Sequence, residues 1–102
     1  MGDVLFSEVP SNISLYQNYP NPFNPTTEIG FELSKEGYVE LNIYDATGKL
    51  VKTLIDGEKE AAYHTVYWNG TNNAGKALPS GVYVYTLKAG EYSESKTMIL
   101  LK

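Results

Sequence analysis

The feature that most constrains this chain is an alternation of apolar and polar residues with a period of two, broken at intervals of roughly 8–12 residues by Gly, Asn, Asp and Pro. Successive side chains of an extended strand point to opposite faces, so such a pattern buries one face and wets the other. Ile29, Phe31 and Leu33 alternate with Glu28, Gly30 and Glu32, and after a turn at Lys35-Glu36-Gly37, Val39, Leu41 and Ile43 alternate with Tyr38, Glu40 and Asn42. Asp45-Ala46-Thr47-Gly48 reads as a turn with Gly48 at a positive φ, followed by a strand over 49–55. The polar run Asp56-Gly57-Glu58-Lys59-Glu60 reads as another turn. Ala62, His64, Val66 and Trp68 share the inward face of the next strand, with Tyr63, Thr65 and Tyr67 on the other. Residues 69–75 are dense in turn formers and read as a loop. A strand over 82–89, a tight connection at Gly90-Glu91 and a last strand over 92–102 complete the chain.

No stretch of helical period competes with this pattern, and about seven short strands predict an all-β sandwich of antiparallel strands. Its core is expected to include Phe31, Leu41, Ile43, Leu54, Val66, Trp68, Tyr83 and Leu87. The 102 residues, 42% hydrophobic, suffice for one core. Residues 1–14 lack the pattern and read as a linker or a segment foreign to the domain, so the domain is placed at 15–102.

All eight cationic residues are lysines, scattered from Lys35 to Lys102, against 12 acids and a net charge of −4. Nucleic acid is an unsuitable partner for such a chain, and no polybasic cluster suits an anionic membrane surface. Cysteine is absent, which removes disulfides, thiolate nucleophiles and sulfur-ligated zinc. The first eight residues lack the basic and apolar regions of a signal peptide, and no apolar run reaches membrane-spanning length.

The run Asn18-Tyr19-Pro20-Asn21-Pro22-Phe23-Asn24-Pro25-Thr26-Thr27 cannot be helical, because its three prolines fix φ and hold the residues before them extended. It reads as a stiff arm, with Phe23 as a plug over the open end of the sandwich.

This run, with Ile43-Tyr44-Asp45 and Gly48, His64 and Trp68-Asn69-Gly70, Ser80-Gly81-Val82-Tyr83 and the closing Met98-Ile99-Leu100-Leu101-Lys102, closely resembles the type A C-terminal sorting domain of the Bacteroidetes type IX secretion system, a relative of the FlgD-like immunoglobulin-like module. The resemblance covers roughly 15–102. It implies an immunoglobulin-like sandwich that is not an enzyme and needs no cofactor. Such a module stands behind a cargo domain in cis, is read by the outer-membrane translocon and is removed by a sortase-like peptidase. It passes through the periplasm to the cell surface or medium, without membrane insertion. The contact residues it implies are Asn21, Pro22, Phe23, Asn24 and Pro25 on the arm, Gly81 and Tyr83 at the start of the strand over 82–89, and Met98, Leu100 and Lys102 on the terminal strand. The sequence departs from the family at Asn69, where Asp is common. With Thr71, Asn72 and Asn73 in place of carboxylates, that loop is a poor calcium site.

A Ser-His-Asp relay would have to run through His64, the only histidine, whose place beside Val66 and Trp68 points it inward as a structural residue. The acids lie mostly on solvent faces or in turns and define no cleft for paired carboxylates. Tyr38 and Tyr44 share one strand face, as do Tyr63 and Tyr67, and such flat surfaces suit sugar rings. Tyrosine is also simply a favoured strand residue. The competing reading is therefore a structural or adhesive immunoglobulin-like module, either a FlgD-like assembly domain or a carbohydrate-binding appendage. Asn12-Ile13-Ser14 and Asn69-Gly70-Thr71 match the glycosylation pattern by chance and carry no assigned role.

Overall fold

The computed structural model describes residues 13–102 and contains seven antiparallel strands in two sheets. These are β1 (Ser14–Leu15), β2 (Thr27–Glu32), β3 (Gly37–Asp45), β4 (Leu50–Lys59), β5 (Tyr63–Trp68), β6 (Gly81–Ala89) and β7 (Tyr92–Leu100). One sheet runs β1-β2-β5 and the other β4-β3-β6-β7. Ile29 and Phe31 of the first sheet bury against Val39, Leu41 and Ile43 of β3 and Tyr85 and Leu87 of β6. This is the face assignment that the alternation gave for β2, β3 and β6. Gly48 closes the β3–β4 turn at φ 90°. Asp45 supports that turn by accepting bonds from the Thr47 hydroxyl (2.6 Å), the Thr47 N–H (2.9 Å) and the Lys49 N–H (3.1 Å), which hold its carboxyl below the usual range.

The placement of 1–12 as linker lies outside the described residues, whereas Ser14 pairs with Glu32 and Ile13 packs against the core. Further expectations are corrected. Asp56 to Lys59 are not a turn: they pair with Glu40 through Gly37 and extend β4, because a continuous partner strand outweighs their weak intrinsic preference. Ala62 is exposed and precedes β5, its carbonyl accepting the Leu33 N–H.

Leu54 and Val66, expected in the core, are only half-buried. Both lie on edge strands, and the four-stranded sheet is one strand wider than the sheet it covers. The register between β3 and β4 also slips twice, leaving Val51 and Leu54 without an opposing residue. An extra residue breaks the strict alternation of a paired strand, so Leu54 is not held to the inner face as its place in the expected core required.

Candidate recognition surface

Between β1 and β2 the chain changes sheets. Tyr19 still bridges Glu28 of β2, but four residues later Phe23 forms a parallel bridge with Leu100 at the end of β7. The Phe23 N–H donates to the Ile99 carbonyl and the Leu101 N–H donates to the Phe23 carbonyl, both at 2.9 Å. The Asn21 side chain extends the clasp by accepting the Ile99 N–H at 2.9 Å, and Gln17 Nε2 donates to the Thr97 carbonyl at 2.8 Å. The end of the last strand is thus covered by the proline-rich arm.

Phe23 anchors this clasp. It is 1% exposed, its ring centroid 5.6 Å from that of Trp68. Trp68 stands edge-on to Tyr83 at 5.4 Å and donates its indole N–H to the Thr71 carbonyl at 2.9 Å. Tyr83 donates in turn to the Pro79 carbonyl at 2.7 Å. Three aromatic rings and the ends of two loops are therefore joined at one pole of the sandwich.

The arm is fixed at its base by a buried polar network. The Asn18 N–H donates to the Tyr85 hydroxyl, and Asn18 Nδ2 donates to Thr27 Oγ1 (2.9 Å) and the Pro20 carbonyl (3.1 Å). Gln17 Nε2 also donates to Asn18 Oδ1 at 2.7 Å. Sequence reasoning placed Asn18 in the run without giving it a role and missed Gln17; the available signal was a polar pair opening an otherwise rigid run.

The expected contact residues divide into two groups. Asn21, Pro22, Asn24, Pro25 and Lys102 are exposed, and Gly81 is half-buried at the start of β6 opposite Leu100. Phe23, Tyr83, Met98 and Leu100 are buried core side chains, so in the folded domain they position the surface and cannot themselves touch a partner. The edge of β7 beside the arm is likewise occupied: the Thr97 and Ile99 carbonyls and the Ile99 and Leu101 N–H groups are bonded to Gln17, Asn21 and Phe23. Val82, Ile99 and Leu101, which stand in the same motifs but were not expected as contacts, have outward side chains that are all exposed. The alternation that buries Met98 and Leu100 is what turns Ile99 outward.

His64 stacks on Phe31 at 5.2 Å and lies 2.8 Å from the Glu60 carbonyl, so its ring packs and ties down the β4–β5 connection. In the loop after β5, Asn72 Oδ1 accepts the N–H groups of Ala74 and Lys76, both at 2.9 Å. Asn73 Oδ1 accepts the Thr53 N–H at 3.1 Å and the Asn73 N–H donates to the Val51 carbonyl at 3.0 Å, fastening this loop along β4.

Two antiparallel sheets of three and four strands, with the first segment switching from one sheet to the other, define an immunoglobulin-like β-sandwich module. The chain belongs to the FlgD Ig-like domain family, whose model matches residues 18–93. The basal-body rod modification protein FlgD of Salmonella typhimurium is 37% identical over 65 residues, which is 63% of this chain and 28% of FlgD. The Escherichia coli protein of the same name is 35% identical over the same shares. The chain thus spans little more than a quarter of the curated relatives it matches.

Among solved structures, dimeric latent PorU of Porphyromonas gingivalis aligns over 96% of this chain and 10% of its own, at 20% identity and a TM-score of 0.73. PorZ, a bacterial surface component of the type IX secretion system of the same organism, aligns over 86% of this chain and 11% of its own, at 23% identity and a TM-score of 0.60. FlgD of Xanthomonas campestris aligns over 85% of this chain and 64% of its own, at 19% identity and a TM-score of 0.60. At these identities the likeness is one of fold.

Proposed function

We propose that this immunoglobulin-like module is a non-enzymatic C-terminal sorting domain that delivers a cargo protein to the type IX translocon for export across the outer membrane. The observation that carries the reading is the clasp between Phe23 and Leu100, which joins the two motif-bearing ends of the domain into one surface. Around it Asn21, Pro22, Asn24, Pro25 and Lys102 stand exposed beside Ile99 and Leu101. Rigid extended backbone with polar amides and a few apolar side chains suits recognition by another protein, since little freedom remains to be lost on binding. The fold likeness to PorZ and PorU supports this reading. Its partners are the translocon and its sortase-like peptidase, with the cargo preceding it in cis; it occupies the periplasm in transit and then the cell surface or medium.

The second reading, a FlgD-like assembly module, is favoured by the family match and by the Salmonella relative. Export separates the two. A periplasm-delivered fluorescent protein fused ahead of the whole chain, in a host with the type IX system, should reach the surface or medium, and Lys102→Glu or a short appended tail should impair export while circular dichroism stays native. Retention of the folded, unmodified fusion in the periplasm would favour the assembly module.

A further inference from the structure

The outer face of the β1-β2-β5 sheet, beside the base of the arm, carries a second surface. Tyr19 and Tyr67 lie directly opposite Glu28 on either side of it, forming a Tyr-Glu-Tyr row across the sheet. The two tyrosines are 78% and 64% exposed and line, with Glu28, a recess of about 190 Å³. A second row lies further along β2. Tyr63 is paired with Glu32, Tyr16 donates its hydroxyl to Glu32 Oε1 at 3.1 Å, and the two rings are 6.0 Å apart. Glu28 and Glu32 are four residues apart on one face of β2, a separation of about 13 Å.

The charge of this face is one-sided. The chain has no arginine, and no lysine falls within 13–34 or 60–75, the segments that contain β1, β2 and β5. His64 points to the opposite face, against Phe31. Tyr63 has a structural duty, since its hydroxyl lies over Gly30 where any Cβ would stand 2.3 Å from it. Tyr19 and Tyr67 have no such duty, yet they are the most exposed of the large hydrophobic side chains.

We propose that this face binds an extended cationic segment of a partner polypeptide, with one lysine or arginine held between Tyr19 and Tyr67 over Glu28 and a second, four residues away, over Glu32. Aromatic faces and carboxylates attract the same cation, and their effects combine where the side chain is partly withdrawn from water. Flat tyrosines alone would serve a sugar ring equally well. Among the described residues neither carboxylate is paired with a cation, and that decides for a charged guest.

The test is calorimetric titration of the full chain with a blocked nine-residue peptide carrying two lysines four residues apart in a Ser/Thr background. Saturable binding is expected, weakened about tenfold or more when ionic strength rises from about 0.02 to 0.3 M. Glu28→Gln and Tyr67→Ala should each weaken it about tenfold with unchanged thermal unfolding, whereas Glu58→Gln on the other sheet should not. Absence of binding, or equal binding by Glu28→Gln, overturns the proposal. So does salt-insensitive binding of a neutral soluble glucan in preference to the peptide, which would assign the face to carbohydrate.

Discussion

The hydroxyl of Tyr85 in β6 accepts the backbone N–H of Asn18 at 2.8 Å. It also donates to the Tyr16 carbonyl at 2.8 Å, so one phenol satisfies two main-chain groups of a segment 67 and 69 residues earlier. Removing it with Tyr85→Phe leaves the buried Asn18 N–H without a partner. A loss of about 1–3 kcal/mol in unfolding free energy is expected from denaturant titration.

The same residue makes stability fall at high pH. Burial pushes the Tyr85 phenol up to about 12 from the ordinary 10.0, and burial together with Glu94 does the same to Tyr92. Below pH 10 both phenols are protonated whether the chain is folded or not, and their contribution is complete. Between pH 10 and about 12 the unfolded chain releases these protons and the folded one holds them, so stability declines as pH rises. Chemical denaturation at pH 8, 10 and 11.5 should show a shallower decline in Tyr85→Phe than in the parent, and again in Tyr92→Phe.

Phe23→Ala should open the clasp and the aromatic pole together. Loss of the buried ring costs about 3–5 kcal/mol, and the indole it packs against becomes wetter. Tryptophan emission should shift to the red in the folded variant, which reports Trp68 alone because the chain has no other tryptophan. Trp68→Ala should cost a similar amount. An unshifted unfolding midpoint in either variant would contradict the packing described.

Gly70 lies beneath the clasp at φ 77°, and a Cβ there would meet the Leu100 side chain at 3.3 Å and the Pro25 carbonyl at 3.5 Å. Gly70→Ala combines a left-handed backbone with a tight contact. It should lower stability by about 1–2 kcal/mol, with faster amide exchange at Leu101, whose N–H is bonded to the arm.

Leu41 and Leu54 differ in place, not in kind. Leu41 is fully buried at the centre of the four-stranded sheet, whereas Leu54 is half-buried on its edge and unopposed. Leu41→Ala should cost about 2–5 kcal/mol, and Leu54→Ala clearly less, by thermal unfolding. Equal costs would restore Leu54 to the core.

What the sequence determined by itself was local. The alternation in Ile29 to Phe31, Val39 to Ile43 and Tyr83 to Leu87 assigns each side chain to a face because the period of a strand is fixed by backbone geometry, and Gly48 marks its turn because few other residues tolerate its φ. The arm was legible as rigid, since proline acts within its own segment. What only the tertiary structure decided was who neighbours whom. A period of two does not say whether a strand lies at the centre or the edge, so Leu54 and Val66 resembled Leu41 and Ile43 in the sequence. Nor does it disclose the partner that draws Asp56 to Lys59 into β4. The meeting of Phe23 with Leu100, and of Tyr19 with Glu28 and Tyr67, depends on main-chain bonds between distant segments. The groups that make those bonds are common to every residue but proline, and so they do not tell one partner from another in the sequence.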